Sequence, residues 1–216
     1  MSGIWAAVPV KEFADAKQRL SPLLTASQRQ SLAAAMLEDV LAALAAAPLA
    51  GVMVNTLDLS AAAIARRYGA RVIAEEAREG HTGAVAAMAR ILAAEGKTGM
   101  LALPGDIPRV TATEIAALRA AHRAAPAFTI GPAHDERGSN AVLLSPPDAV
   151  PLRFGDDSFF PHLDTARREG IEPVVVKLAG IALDIDNPED VRALLAATPR
   201  MRTRAVSVLS ECGFAP

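Results

Sequence analysis

A single cysteine, Cys212, in a chain of 216 residues excludes a disulfide framework and suits a reducing compartment. A formal net charge of −2 gives no electrostatic footprint for nucleic acid. The opening Met1-Ser2-Gly3-Ile4-Trp5 lacks the basic region of a signal peptide. The longest apolar stretch, Ser31 to Gly51, is interrupted by Glu38, Asp39 and Pro48, and alanine supplies much of its length. It reads as a soluble amphipathic helix. A cytoplasmic protein with no membrane partner is expected. Two nucleotide signatures are missing too. Gly96-Lys97-Thr98 ends like a P-loop, but position 91 is Ile91, and the tripeptide precedes a strand where a P-loop follows one. No G-x-G-x-x-G follows the first strand, which argues against a dinucleotide fold. Internal repeats, linkers and a convincing Ser-His or Cys-His pair are absent as well.

What remains is 51% hydrophobic and long enough for one sizeable core. One domain is expected over residues 1–198, followed by a loosely packed tail, 199–216, carrying Arg200, Arg202 and Arg204. Strands are predicted at Ile4–Val10, Val52–Val54, Arg71–Ile73, Met100–Leu103, Phe128–Ile130, Ala141–Leu144 and Val174–Val176. Helices are predicted from near Thr25, with a Thr25/Gln28 capping box, and at Ala61–Tyr68, Thr82–Ala94, Thr113–Ala124, Asp156–Glu169 and Pro188–Ala196. Leu32, Met36, Val40 and Leu44 form one stripe on the first helix. The alternation predicts a three-layer α/β/α sandwich around a mostly parallel mixed sheet, with ligands beyond the carboxyl ends of the strands.

The chemistry-bearing residues gather at those ends. Leu103-Pro104-Gly105-Asp106-Ile107-Pro108 stops a buried strand and presents Asp106; an ordinary turn aspartate is the plainer alternative. Leu183-Asp184-Ile185-Asp186 reads as a second acidic strand end, with both carboxylates on one face. Two separated strand ends of this kind suit Mg²⁺ held against phosphate groups. Asp184 is assigned mainly to metal. Asp186 serves either the metal or the start of the next helix, where Asn187, Pro188 and Asp190 make an N-cap. Lys11, Lys17 and Arg19 follow the first strand, where they could neutralise a triphosphate or form a plain solvated loop. Arg137-Gly138-Ser139-Asn140 opens a strand as either a ligand approach or a hairpin turn. Gly155 and Ser158, helped by Arg153, could seat an anion at a helix start. His162 reads as a surface or interface histidine.

Together these segments resemble the CofC/FbiD guanylyltransferases. The likeness is carried by Pro9-Val10-Lys11 with Ala16-Lys17-Gln18-Arg19-Leu20-Ser21, by Pro104–Pro108 and by Gly138-Ser139-Asn140-Ala141. Arg153-Phe154-Gly155 with Ser158, and Asp184-Ile185-Asp186 with Pro188-Glu189-Asp190, complete it. The resemblance implies a nucleotidyltransferase fold of the nucleotide-diphospho-sugar transferase type. It implies transfer of GMP from GTP to the phosphate of 2-phospho-L-lactate, phosphoenolpyruvate or 3-phospho-D-glycerate, releasing pyrophosphate, in coenzyme F-420 biosynthesis. By similarity Asp106 and Asp184 hold Mg²⁺, and Lys17 and Arg19 grip the GTP phosphates. Ser139 or Asn140, Gly155 and Ser158 contact the acceptor. Many members have Leu-Asn-Thr-Ala where this chain has His81-Thr82-Gly83-Ala84, and Gly-Thr-Asn where it has Gly138-Ser139-Asn140. A related transferase with another nucleotide or acceptor, and a non-catalytic GTP-binding relative, are the alternatives. A homodimer is compatible with the sequence.

Overall fold

The computed structural model describes residues 3–75, 80–155, 157–197 and 203–214. Strands β1 (Ile4–Pro9), β2 (Gly51–Asn55), β3 (Arg71–Ile73), β4 (Gly99–Ala102), β5 (Ala127–Pro132), β6 (Ser139–Ser145) and β7 (Val174–Val175) form one sheet in the order β3-β2-β1-β4-β6-β5-β7. All pairings are parallel except those of β6, which runs against both β4 and β5. Helices α1 (Ala26–Ala46), α2 (Leu59–Arg67), α3 (Gly80–Ala94), α4 (Ala112–Ala121), α5 (Phe159–Arg168), α6 (Pro188–Ala196) and α7 (Arg204–Glu211) complete the described fold. The connection after β1 leads to β2 on one side, and the connection after β4 leads to β5 on the other. The carboxyl ends of β1 and β4 therefore flank a switch point, where such sheets leave a crevice.

Side-chain alternation along the strands builds the layers. Leu101, Val8 and Leu143 face α1, α2 and α4 in one core. Met100, Ala102, Ala7 and Val142 face α3 and α5 in another. A third core joins Leu32 and Met36 of α1 to Leu194 of α6 and Leu209 of α7. The expected stripe on α1 therefore divides. Val40 and Leu44 pack toward the sheet, while Leu32 and Met36 pack toward the C-terminal helices. Burial on two sides explains why this helix is so nearly continuous in apolar residues. Its Thr25/Gln28 capping box is present.

Three expectations need correction. Residues 203–214 are not a loose tail. Thr203 caps α7, and the Asp39 carboxylate accepts from the backbone N–H of Arg204 and Ala205 at 2.9 and 3.0 Å. A buried carboxylate at a helix start satisfies two orphan donors at once. Residues 198–202, with Arg200 and Arg202, lie outside the described residues. Leu183–Asp186 is not a strand but irregular chain, tied to the rest by the Ile185 N–H donating to the Asp106 carbonyl at 3.1 Å. The alternation still holds, because Ile185 is fully buried while Asp184 and Asp186 face a cavity. Helix α5 starts at Phe159, with Ser158 at its N-cap; Asp156 lies outside the described residues.

The turn before Asp184 is fixed by Gly180, whose N–H donates to the Glu114 carboxylate at 2.6 Å. A Cβ there would collide with the Arg109 carbonyl and that carboxylate. Gly180→Ala is expected to cost about 2–3 kcal/mol, read by denaturant titration. A variant as stable as the parent would contradict this packing.

Candidate active site

The chain after β1 folds into two short 3₁₀ turns, Phe13–Asp15 and Gln18–Leu20, anchored by the buried Phe13 and Leu20. The Phe13 N–H donates to Asp58 Oδ2 at 2.8 Å, and the other Asp58 oxygen caps α2. Lys17 sits between the turns with φ 55°, a left-handed conformation that costs energy for a side-chain-bearing residue. That backbone turns its side chain inward. Lys17 Nζ donates to Asp106 Oδ2 at 2.6 Å and to Asp186 Oδ1 at 2.7 Å. Burial alone would lower the ammonium's pKa; the charges and hydrogen bonds of Asp106 and Asp186 outweigh it and raise it. Burial would raise Asp186, but Lys17, then Arg19 and Lys11, hold it below the usual carboxylate range.

Asp184 completes the acidic group. Its Oδ1 accepts from Asn140 Nδ2 at 3.0 Å, and that nitrogen also approaches the carbonyls of Ile181 and Ala182. Asn140 thereby clamps the 181–184 segment against β6. Burial pushes the Asp184 carboxyl up, and the charges of Asp106 and Asp186 add to the shift. Asp190 is structural: its Oδ2 accepts from the N–H groups of Asp186 and Asn187, both at 2.9 Å.

Hydroxyls from β6 and the start of α5 stand near by. Ser158 Oγ donates to Ser139 Oγ at 3.2 Å, and Ser139 Oγ lies 3.0 Å from His162 Nδ1. His162 is buried within the chain, contrary to the surface or interface position expected for it. It packs edge-on against Phe154, which in turn packs against His81. The Phe154 N–H donates to Thr82 Oγ at 3.0 Å, which fixes the loop bearing Gly155.

A cavity of about 680 Å³ lies over the carboxyl ends of β1 and β4. Lys11, Lys17, Arg19, Asp106, Ser139, Asn140, Gly155, Ser158, Asp184 and Asp186 all line it. Residues drawn from five separated segments therefore meet in one place. Arg153 does not join them; its side chain is exposed and outside the lining, and its backbone N–H serves instead as donor to His162. Asn140 lines the cavity with its amide nitrogen committed to the 181–184 segment, and Ser139 lines it with its hydroxyl oxygen engaged by Ser158 and His162. His81 lines the cavity and went unnoticed as a site residue in the sequence, as did the role of His162. The Ser158-x-x-x-His162 spacing, which places both on one helical face, was the available signal.

Among the described residues no three His, Cys, Asp or Glu side chains form a ready-made metal cage. One observation nevertheless fits a cation. Asp106 Oδ1 is buried and has no hydrogen-bond partner among the described residues. Such an orphan carboxylate oxygen costs energy unless a cation or donor meets it. The one lysine bound in the cluster also leaves excess negative charge on the three aspartates.

Burial lowers the pKa of His162 to about 4. The unfolded chain binds this proton near pH 6.5, and the folded chain does not until about pH 4. Stability is therefore lost as pH falls through that window, by up to about 3 kcal/mol. His81 and His122, also lowered by burial, act in the same direction. The thermal midpoint of His162→Asn is expected to fall less between pH 7 and 4.5 than that of the parent. Parallel curves would contradict a neutral buried His162.

A family model described as "Guanylyl transferase CofC like" matches residues 4–211. The chain belongs to this family. A phosphoenolpyruvate guanylyltransferase of Rubrobacter xylanophilus is 37% identical over 194 residues, 90% of this chain and 94% of that protein. A 3-phospho-D-glycerate guanylyltransferase of Colwellia psychrerythraea is 35% identical, covering 87% and 89%. A 2-phospho-L-lactate guanylyltransferase of Methanothermobacter thermautotrophicus is 34% identical, covering 88% and 83%. The solved structure of a nucleotide-diphospho-sugar transferase homologue from Desulfovibrio desulfuricans superposes with a TM-score of 0.78 at 18% identity, covering 98% of this chain and 95% of that one. At that identity the likeness concerns the fold, an α/β nucleotidyltransferase. No helix among the described residues is long and apolar enough to cross a membrane.

Proposed function

We propose that this protein transfers a guanylyl group from GTP to the phosphate of a small phosphorylated carboxylic acid, releasing pyrophosphate. The observation that carries the reading is the shared cavity, where basic side chains after β1, three aspartates and the Ser139–Ser158 pair all converge. The guanine nucleotide and the acid class come from the names of the relatives, and the family's role in coenzyme F-420 biosynthesis extends here under the same reading.

An ionised oxygen of the acid's phosphate attacks the α-phosphorus. The new P–O bond forms as the bond from the α-phosphorus to its bridging oxygen breaks, and the electron pair leaves on pyrophosphate. No side-chain nucleophile is needed. Lys11, Lys17 and Arg19 bind the triphosphate and offset the charge that moves onto the leaving group. Ser139, Gly155 and Ser158 orient the acid, so catalysis is positioning plus electrostatics. Asp106 and Asp184, with Asp186, would hold Mg²⁺, the orphan oxygen of Asp106 being the first donor to it. When bound, the ion neutralises the phosphates.

Incubation with GTP, Mg²⁺ and each of 2-phospho-L-lactate, phosphoenolpyruvate and 3-phospho-D-glycerate, read by mass, tests the reading. A guanylylated acid and stoichiometric pyrophosphate are expected. Product formed only with another nucleotide would favour a sister transferase, and GTP binding without pyrophosphate would favour a non-catalytic relative.

A further inference from the structure

His162 is 1% exposed, lies outside the cavity lining, and still makes two hydrogen bonds to groups that shape the cavity. The backbone N–H of Arg153 donates to Nε2 at 3.0 Å. A backbone N–H can only donate, so Nε2 carries no proton. A neutral imidazole has one proton, which must then sit on Nδ1. Nδ1 lies 3.0 Å from Ser139 Oγ and donates to it. Ser158 donates to the same oxygen at 3.2 Å. A serine hydroxyl has two lone pairs and one hydrogen. With Nδ1–H on one lone pair and Ser158 donating to the other, the hydrogen of Ser139 alone is left for the cavity that Ser139 lines.

We infer that His162 is a positioning residue for the acceptor acid: its tautomer, locked by the Arg153 amide, fills the acceptor capacity of Ser139 and makes that hydroxyl an obligate donor to an anionic oxygen of the acid. The inference rests on the guanylyltransferase reading and deepens it. Without the lock, the Ser139 hydroxyl can rotate to donate to a neighbour, and the acid loses a charge-assisted bond. The 153–155 chain does not depend on this bond alone, because the Phe154 N–H is held separately by the Thr82 hydroxyl.

The test compares two amides at position 162. Gln places its amide near the Nε2 position, where it can accept from Arg153 but cannot donate to Ser139. Asn places an amide N–H near the Nδ1 position and keeps that donor. His162→Gln is expected to raise the acid's KM about tenfold or more, with the KM for GTP unchanged. His162→Asn should stay within about threefold of the parent for the acid. In a Ser139→Ala background, His162→Gln should add nothing. Calorimetric binding of phosphoenolpyruvate should give the same ranking without turnover. Imidazole ¹⁵N shifts of the parent protein should show the proton on Nδ1. A proton on Nε2, equal losses in the Gln and Asn variants, or an undiminished Gln effect without Ser139 would each overturn the inference. Failure of the parent to release pyrophosphate, with the binding ranking intact, would instead overturn the reaction assigned above. No acid binding by the parent would overturn both.

Discussion

Asp106→Asn is expected to lower guanylyl transfer about a thousandfold or more, while the thermal midpoint moves by only a few degrees. The amide keeps the shape of the carboxylate at the end of β4, and Lys17 retains Asp186 as a partner at 2.7 Å. What the variant loses is charge. Oδ1 of Asp106 is a buried oxygen with no partner among the described residues, and under the proposed function its negative charge would help hold a cation beside the phosphates. An amide offers at most a neutral oxygen there. Pyrophosphate release at saturating substrates gives the rate, and circular dichroism melting gives the fold. A fully active variant would sink the assignment of Asp106.

Lys17→Met should act on both stability and rate. Removing the ammonium leaves Asp106 and Asp186 without the cation that holds both. Breaking a buried pair costs about 3–5 kcal/mol, and the partial exposure of Asp186 argues for the lower end. Under the proposed function the rate should fall about a hundredfold or more, because the charge leaving on pyrophosphate would lose a preorganised donor. The two losses should separate on adding Mg²⁺. Millimolar Mg²⁺ should restore much of the variant's thermal midpoint, since an ion can take up the vacated charge, while activity stays low. The parent should respond less, with Lys17 already neutralising part of the cluster. A variant as stable as the parent and indifferent to Mg²⁺ would mean that these aspartates do not form a cation site.

Much of the fold was legible because local chemistry and global packing agree. The Thr25/Gln28 box, the Asn187–Pro188 helix start and the short Arg71–Ile73 strand stand where turn and capping chemistry place them. The failures share a cause. Leu183–Asp186 alternates like a strand, but its hydrogen bonds go to the Asp106 carbonyl and the Asn140 amide rather than to a neighbouring strand. Periodicity reports which side a residue faces, not what its backbone pairs with. The tail was misjudged because α7 has only eight residues, and its burial depends on Asp39, which lies 165 positions earlier than Arg204. His162 was misread because a lone histidine carries no pattern. Its partners come from β6 and the chain before α5, which only folding brings together. The candidate site residues were found mostly through turns and strand ends, where a sheet of this kind exposes them. Arg153 shows the limit: a cation in the right loop points outward, and its amide does the work.

The reversed direction of β6 has an architectural consequence. A parallel strand delivers only its last residues to this edge of the sheet, whereas an opposed strand delivers its first. Ser139 and Asn140 therefore reach the crevice from a hairpin, β5–β6, that closes between Pro132 and Ser139. A hairpin can be lengthened, shortened or given new residues at little entropic cost and without disturbing the strands on either side. Under the proposed function, the Ser139–Asn140 side of the cavity is in this sense a replaceable insert, while Lys11, Lys17 and Asp106 on its other side follow β1 and β4. Lineages that hold the nucleotide fixed while exchanging one three-carbon acid for another have, in this hairpin, a place to do so.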